Sequence, residues 1–112
     1  MAFDEDLANR IRELISGAPD LREQRMFGGL AFLIGGRMSV AASGGGGLMV
    51  RVPHEDTASL LTRAHVHPFE MRGRELNGWL RVDDDGVRTK RQLQSWVDRG
   101  VAFARSLPPK SE

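Results

Sequence analysis

Between Leu7 and Ile15 the apolar side chains fall at Leu7, Ala8, Ile11, Leu14 and Ile15. That spacing gathers them on one stripe of an α-helix and leaves the polar residues on the other side. Asp4, Glu5 and Asp6 put negative charge at the helix start, with Asp4 as the candidate N-cap, and Gly17 and Pro19 stop the helix. Beyond it the period shortens. Strand-favouring runs are predicted over residues 23–27, 30–34, 37–42 and 48–52, interrupted by Gly28-Gly29, Gly35-Gly36 and a loop over 43–47. Gly35-Gly36 between two apolar runs signals a two-residue hairpin, because the turns that join strands tightly need positive φ. Gly28-Gly29 reads as a bulge or bend, and Gly44 to Gly47 as a mobile connection.

Pro53 opens a short second helix in "PHEDTASLLTRA", with Ala58, Leu60 and Leu61 turned inward. "HPFEMRG" and "NGWLRVD" read as two further strands joined by a polar stretch over 72–77, and Asp83-Asp84-Asp85-Gly86 as an acidic turn. The last helix is predicted from about Thr89 to Leu107. Leu93, Trp96, Val97, Val101, Ala104 and Leu107 share one face, and Gly100 within that stripe would let another backbone approach. Pro108-Pro109 ends it, leaving a loose tail from about residue 108. The expected fold class is α+β: a mostly antiparallel sheet of about five or six strands, with an N-terminal helix, a short middle helix and a long C-terminal helix, in one domain over 1–112.

Composition narrows the class without changing this picture. At 112 residues, 40% hydrophobic and 28% charged, the chain fits a globular domain with one core. No apolar run approaches the ~18 residues of a membrane span, and the acidic start lacks the basic and apolar regions of a signal peptide. A cytoplasmic location is the default expectation. The absence of cysteine excludes disulfides, thiolate metal sites and cysteine nucleophiles. The net charge is +1, but residues 1–27 carry four basic and six acidic side chains, whereas residues 71–112 carry nine basic and six acidic. The C-terminal part therefore presents a modest basic surface, well short of the strongly basic stripe of a dedicated DNA-binding domain.

Met26-Phe27-Gly28-Gly29, followed by an apolar strand, a glycine turn, a second strand and "LMVRV" at 48–52, resembles the N-terminal domain of the TfoX/Sxy family. There a Met-Phe-Gly-Gly signature opens a meander, and a strand of the "LYLKV" type, a short helix, an aromatic-containing strand and a C-terminal helix follow. The resemblance runs from the first helix to about Leu107. It implies the α+β fold and an association with transcriptional and competence regulation. The chain departs from the pattern in having Met49 where an aromatic is common, Trp79 in place of a Tyr-Trp pair, and no second, helical domain of the kind that competence regulators carry. The family supplies no catalytic or DNA-reading residues to map.

Candidate chemistry is sparse. A phosphate cradle needs glycines before a helix start, often with lysine; here strands flank the glycines and the first lysine is Lys90. Ser39, Ser43, Thr57 and Ser59 lie in no nucleophile elbow, and "DDDG" lacks the alternating ligands of a calcium loop. No catalytic residue and no cofactor is expected. His65 and His67 form an H-x-H pair that on a strand would face one side, with His54, Glu55 and Glu70 near in sequence. They are weak metal candidates without an assured third ligand, and solvent-facing imidazoles are the plainer reading. Opposite the apolar stripe of the last helix stand Arg88, Arg91, Arg99 and Arg105, with Ser95, Asp98 and Ala102 between them, and Arg72, Arg74 and Arg81 add to the same half. Such a face can contact phosphate or carboxylate, or simply be solvated. Phe69, Trp79, Trp96 and Phe103 read as core. The leading expectation is a small non-enzymatic regulatory or adaptor module that binds a protein partner, such as the transcription machinery, or nucleic acid weakly. The alternative is a small metal-dependent protein or enzyme using His65 and His67. A homodimer through an exposed sheet edge is a third expectation.

Overall fold

The computed structural model describes residues 5–26, 28–43, 46–71 and 73–107. Its elements run α1 (Glu5–Ile15), β1 (Leu21–Met26), β2 (Gly29–Ile34), β3 (Arg37–Ala42), β4 (Leu48–Arg51), α2 (His54–Leu60), β5 (Val66–Met71), β6 (Arg74–Val82), a 3-10 turn (Asp84–Val87) and α3 (Lys90–Ser106). The strands form one six-stranded sheet in the order β1-β2-β3-β4-β6-β5, and every neighbouring pair is antiparallel. This is the α+β architecture with three helices that the hydrophobic pattern predicts. Among the described residues no helix is long and apolar enough to cross a membrane.

Register explains why β2 to β4 are nearly continuous apolar runs instead of alternating ones. Leu30, Ala42, Leu48, Val82 and Val66 align across five strands, and Phe32, Val40, Val50 and Leu80 form the next row on the same face. That face holds the main core with Ile11 of α1, Leu60 of α2 and Leu93, Trp96 and Val97 of α3. The alternate row, Ala31, Ala41 and Met49, belongs to the opposite face, where with Met38 it forms a second buried cluster under Leu33, Phe69 and Trp79. Because both faces of the middle strands are buried, both sets of positions must be apolar.

Three glycines fulfil specific geometric needs. Gly35 and Gly36 have φ of 60° and 83°, and Ile34 pairs with Arg37 across them, as the two-residue hairpin requires. Gly100 lies where α3 crosses β3: a Cβ there would stand 2.5 Å from the Ser39 carbonyl oxygen and 2.8 Å from Val40 Cγ1. The helix start is fixed by a capping box. Thr89 Oγ1 accepts from the Gln92 amide at 3.1 Å and Gln92 Oε1 accepts from the Thr89 amide at 3.0 Å.

Several expectations shift. The first strand starts at Leu21, two residues earlier than its apolar content suggests, and Phe27, like Asp4, Gly44, Gly45 and the tail from 108, lies outside the described residues. Met26 pairs with Gly29 and Gly28 has a φ of 75°, which makes this position the bend of the two expected alternatives; an irregularity in strand register falls between Phe32 and Leu33. Backbone bonds from Gly46 to Ser43 at 3.1 Å and from Ser43 to Gly47 at 3.0 Å bracket the connection after β3, whose Gly44 and Gly45 lie outside the described residues. Pro53 caps α2 from outside, and the helix ends at Leu60 in a tightened turn. Thr57, not Ala58, is the inward residue: Ala58 is exposed, and Thr57 is buried with its Oγ1 accepting from the Gly78 amide at 3.1 Å. The polar stretch after β5 is mostly strand, since β6 begins at Arg74.

One ion pair ties α1 to β1. Arg12 grips both oxygens of Glu23, at 2.7 and 2.8 Å, and also reaches Asn9 Oδ1 at 2.6 Å. The guanidinium's hydrogen bond holds the Glu23 carboxyl below its ordinary range. Because the folded value is the lower one, the pair's contribution is present above the ordinary glutamate range and disappears as pH falls through the folded value. Both side chains are more than a third exposed, so solvent screening keeps the contribution small. Arg12→Ala is thus expected to lower stability more near neutral pH than in acid below the ordinary glutamate range. Equal losses at both pH values in urea titrations would refute the linkage.

Candidate functional site

The two histidines of the H-x-H pair converge on a residue far from them in sequence. β5 and β6 pair so that Val66 lies beside Val82, and the Asp83 amide donates to the His65 carbonyl at 3.0 Å. His65 just precedes β5 with φ of 71°, the one non-glycine positive φ among the described residues. Strand parity therefore does not relate it to His67. Their rings instead take one oxygen each of the same carboxylate: His65 Nδ1 is 3.1 Å from Asp83 Oδ1 and His67 Nε2 is 3.0 Å from Asp83 Oδ2. Asp83 also caps the 3-10 turn by accepting from the Gly86 amide at 3.3 Å. The His67 hydrogen bond, the nearby His65 and the Gly86 amide hold the Asp83 carboxyl below its usual range.

Asp85 completes the group. One ligand atom each from His65, Asp83 and Asp85 lie within 4.8 Å of one another. The "DDDG" stretch thus supplies two donors beside His65, and the expected His65/His67 pairing on one ion is not what forms, since His67 is outside the group. His54 and Glu70 lie elsewhere: the His54 ring abuts Gly78, and Glu70 stands opposite Glu75 on β6.

The arginines of the C-terminal half occupy separate settings. Arg88 is bound to Asp85, and its carbonyl accepts from Arg10. Arg105 meets Asp20 at 3.3 Å. Arg99 lies 5.7 Å from the Trp96 ring, with Arg63 at the same distance from that ring. Arg91 is exposed in the first turn of α3. Arg74 is exposed on β6, Arg81 shares a cross-strand position with His67, and Arg72 is outside the described residues.

A groove of about 490 Å³ lies between the start of α2 and the flank of α3. Pro53, Ala102 and Phe103 give it apolar surface, Asp56 and Asp98 supply carboxylates, and Ser95, Arg99 and Ser106 complete the lining. Asp98 accepts from Gln94 at 2.7 Å. Beside the groove, the Arg51 guanidinium lies 5.4 Å from the Phe103 ring and 5.2 Å from the Trp79 ring, an arrangement in which the ring faces attract the cation. Of the four aromatics expected in the core, Trp96 is buried, whereas Phe69, Trp79 and Phe103 are half-buried. The groove escaped sequence reading because its two walls belong to elements about 40 residues apart; the exposed Ala102 beside Phe103 was its only local trace.

A family model described as the TfoX N-terminal domain matches residues 13–104 of the 112. No curated protein matches the chain. The matched span runs from within α1 to the last turn of α3 and includes every described strand, α2, all three histidines and the groove's lining except Ser106, so the chain belongs to the TfoX N-terminal domain family.

Proposed function

We propose that the chain is a non-enzymatic adaptor in transcriptional regulation that binds a segment of a protein partner in the α2–α3 groove. Membership of the TfoX N-terminal domain family supports a small regulatory-type domain. The observation that favours protein over nucleic acid is the groove's own lining, in which the carboxylates of Asp56 and Asp98 stand beside apolar Pro53, Ala102 and Phe103. Carboxylates repel a phosphate backbone, whereas this mixture suits an apolar side chain next to a lysine or arginine. The arginines on the outer side add little to a phosphate footprint, since Arg88 and Arg105 already face carboxylates.

Ala102 is exposed in mid-α3, so Ala102→Arg fills the groove without disturbing the core. The wild-type chain is expected to retain a component of the transcription apparatus in a pull-down, and Ala102→Arg to lose at least tenfold of it while Arg91→Glu keeps it. A salt-sensitive mobility shift of DNA or RNA that Arg91→Glu abolishes and Ala102→Arg spares would replace this reading with nucleic-acid binding.

A further inference from the structure

We infer that His65, Asp83 and Asp85 form a binding site for a divalent transition-metal cation, with His67 positioning the Asp83 carboxylate rather than serving as a ligand. This site is separate from the groove and does not depend on what the groove binds.

The geometry is that of a chelate. Two donors each about 2.1 Å from a metal, at angles of 90 to 110°, stand roughly 3.0–3.4 Å apart. His65 Nδ1 and Asp83 Oδ1 are already 3.1 Å apart, so a cation can enter between them without backbone movement. The Asp85 donor atom lies within 4.8 Å of both, on an exposed side chain that can swing the remaining distance. The set combines one imidazole nitrogen with two carboxylates and no sulfur. That mixture suits Zn²⁺, Mn²⁺ or Co²⁺; Ca²⁺ would want six to eight oxygens, and Cu(I) would want softer donors.

The surroundings hold the first two ligands where they are. Asp83 is tied through its amide to the His65 carbonyl, and Gly86 packs so closely that a Cβ on it would come within 2.9 Å of His65 Cβ. Ligating carboxylates in metal sites are themselves hydrogen-bonded, which orients them. His67 Nε2 on Asp83 Oδ2, with the Gly86 amide on Oδ1, fills that role. Arg88 supplies the opposing influence: its guanidinium sits on Asp85, so cation binding must displace it.

The test uses the full chain without a histidine tag. Zn²⁺ titrated calorimetrically should bind one ion per chain. Mn²⁺ should broaden the amide resonances of residues 65–67 and 83–86 before any others. Asp85→Asn and His65→Gln should each weaken Zn²⁺ at least tenfold, and His67→Gln about tenfold with the stoichiometry kept. Arg88→Gln should strengthen binding several-fold by freeing Asp85. Broadening centred elsewhere, or a Zn²⁺ affinity unmoved by both Asp85→Asn and Arg88→Gln, would overturn the site.

Discussion

Phe32→Ala is expected to cost about 3–5 kcal/mol of folding stability, the largest loss from any single truncation in this chain. Phe32 is fully buried on β2, in a row with Val40, Val50 and Leu80. α1, α2 and α3 contribute to the same cluster, so the void would open between layers already fixed by strand pairing and cannot collapse cheaply. The polar part of the site survives the change. Ser39 Oγ donates to the Phe32 carbonyl at 2.9 Å, and alanine keeps that carbonyl; the loss is therefore one of packing. A domain of this length holds roughly 6–17 kcal/mol in total, so the variant should fold but melt about 10–25 °C lower. Urea denaturation reads the effect directly, and a loss below about 1 kcal/mol would show that Phe32 is not enclosed as described.

Local periodicity made most of this fold legible. The stripe in α1, the Gly35-Gly36 hairpin and the long C-terminal helix each need only neighbours in sequence, and each is found close to where the pattern puts it. The capping box of Thr89 and Gln92 that fixes the start of this helix emerges only in the structure. The misplacements share a physical cause. Thr57 turns inward because its hydroxyl satisfies the Gly78 amide, so a buried polar residue took a place that hydrophobicity assigned to Ala58. β6 extends through polar Arg74 because, at that end, the sheet partner is the edge strand β5 and not the core.

The candidate sites were less legible because their parts meet only in three dimensions. His65 and His67 were visible as a pair, but Asp83, 16 residues beyond His67, joins them only through the β5–β6 register. Helical spacing grouped Arg88, Arg91, Arg99 and Arg105, yet what distinguishes them is tertiary: Asp85 for Arg88, Asp20 for Arg105 and the Trp96 ring for Arg99. The groove likewise exists only because α3 seats close enough to the sheet for Phe103 and Ala102 to face Pro53 and Asp56.

That seating depends on one position. Gly100→Ala is expected to destabilise the protein by about 1–3 kcal/mol, although alanine favours an isolated helix over glycine by roughly 1 kcal/mol. The two effects have opposite signs, and the contact decides. The new Cβ would stand 2.5 Å from the Ser39 carbonyl oxygen and 3.1 Å from its carbon. Ser39 lies on the interior strand β3, at the irregularity between the Val40 and Met38 pairings with β2, and the atoms met are main-chain ones, which give way less readily than a flexible side-chain end. α3 must lift instead, which loosens Leu93, Trp96 and Val97 from the cluster they share with β2, β3 and β4. Lifting α3 also changes the separation between Phe103 and Pro53, so the variant should bind the partner proposed for the groove more weakly even under conditions where it is fully folded. Urea denaturation alongside the pull-down separates the two consequences. A Gly100→Ala protein as stable as wild type or more so would mean that helix propensity prevails and that α3 does not rest on the Ser39 backbone.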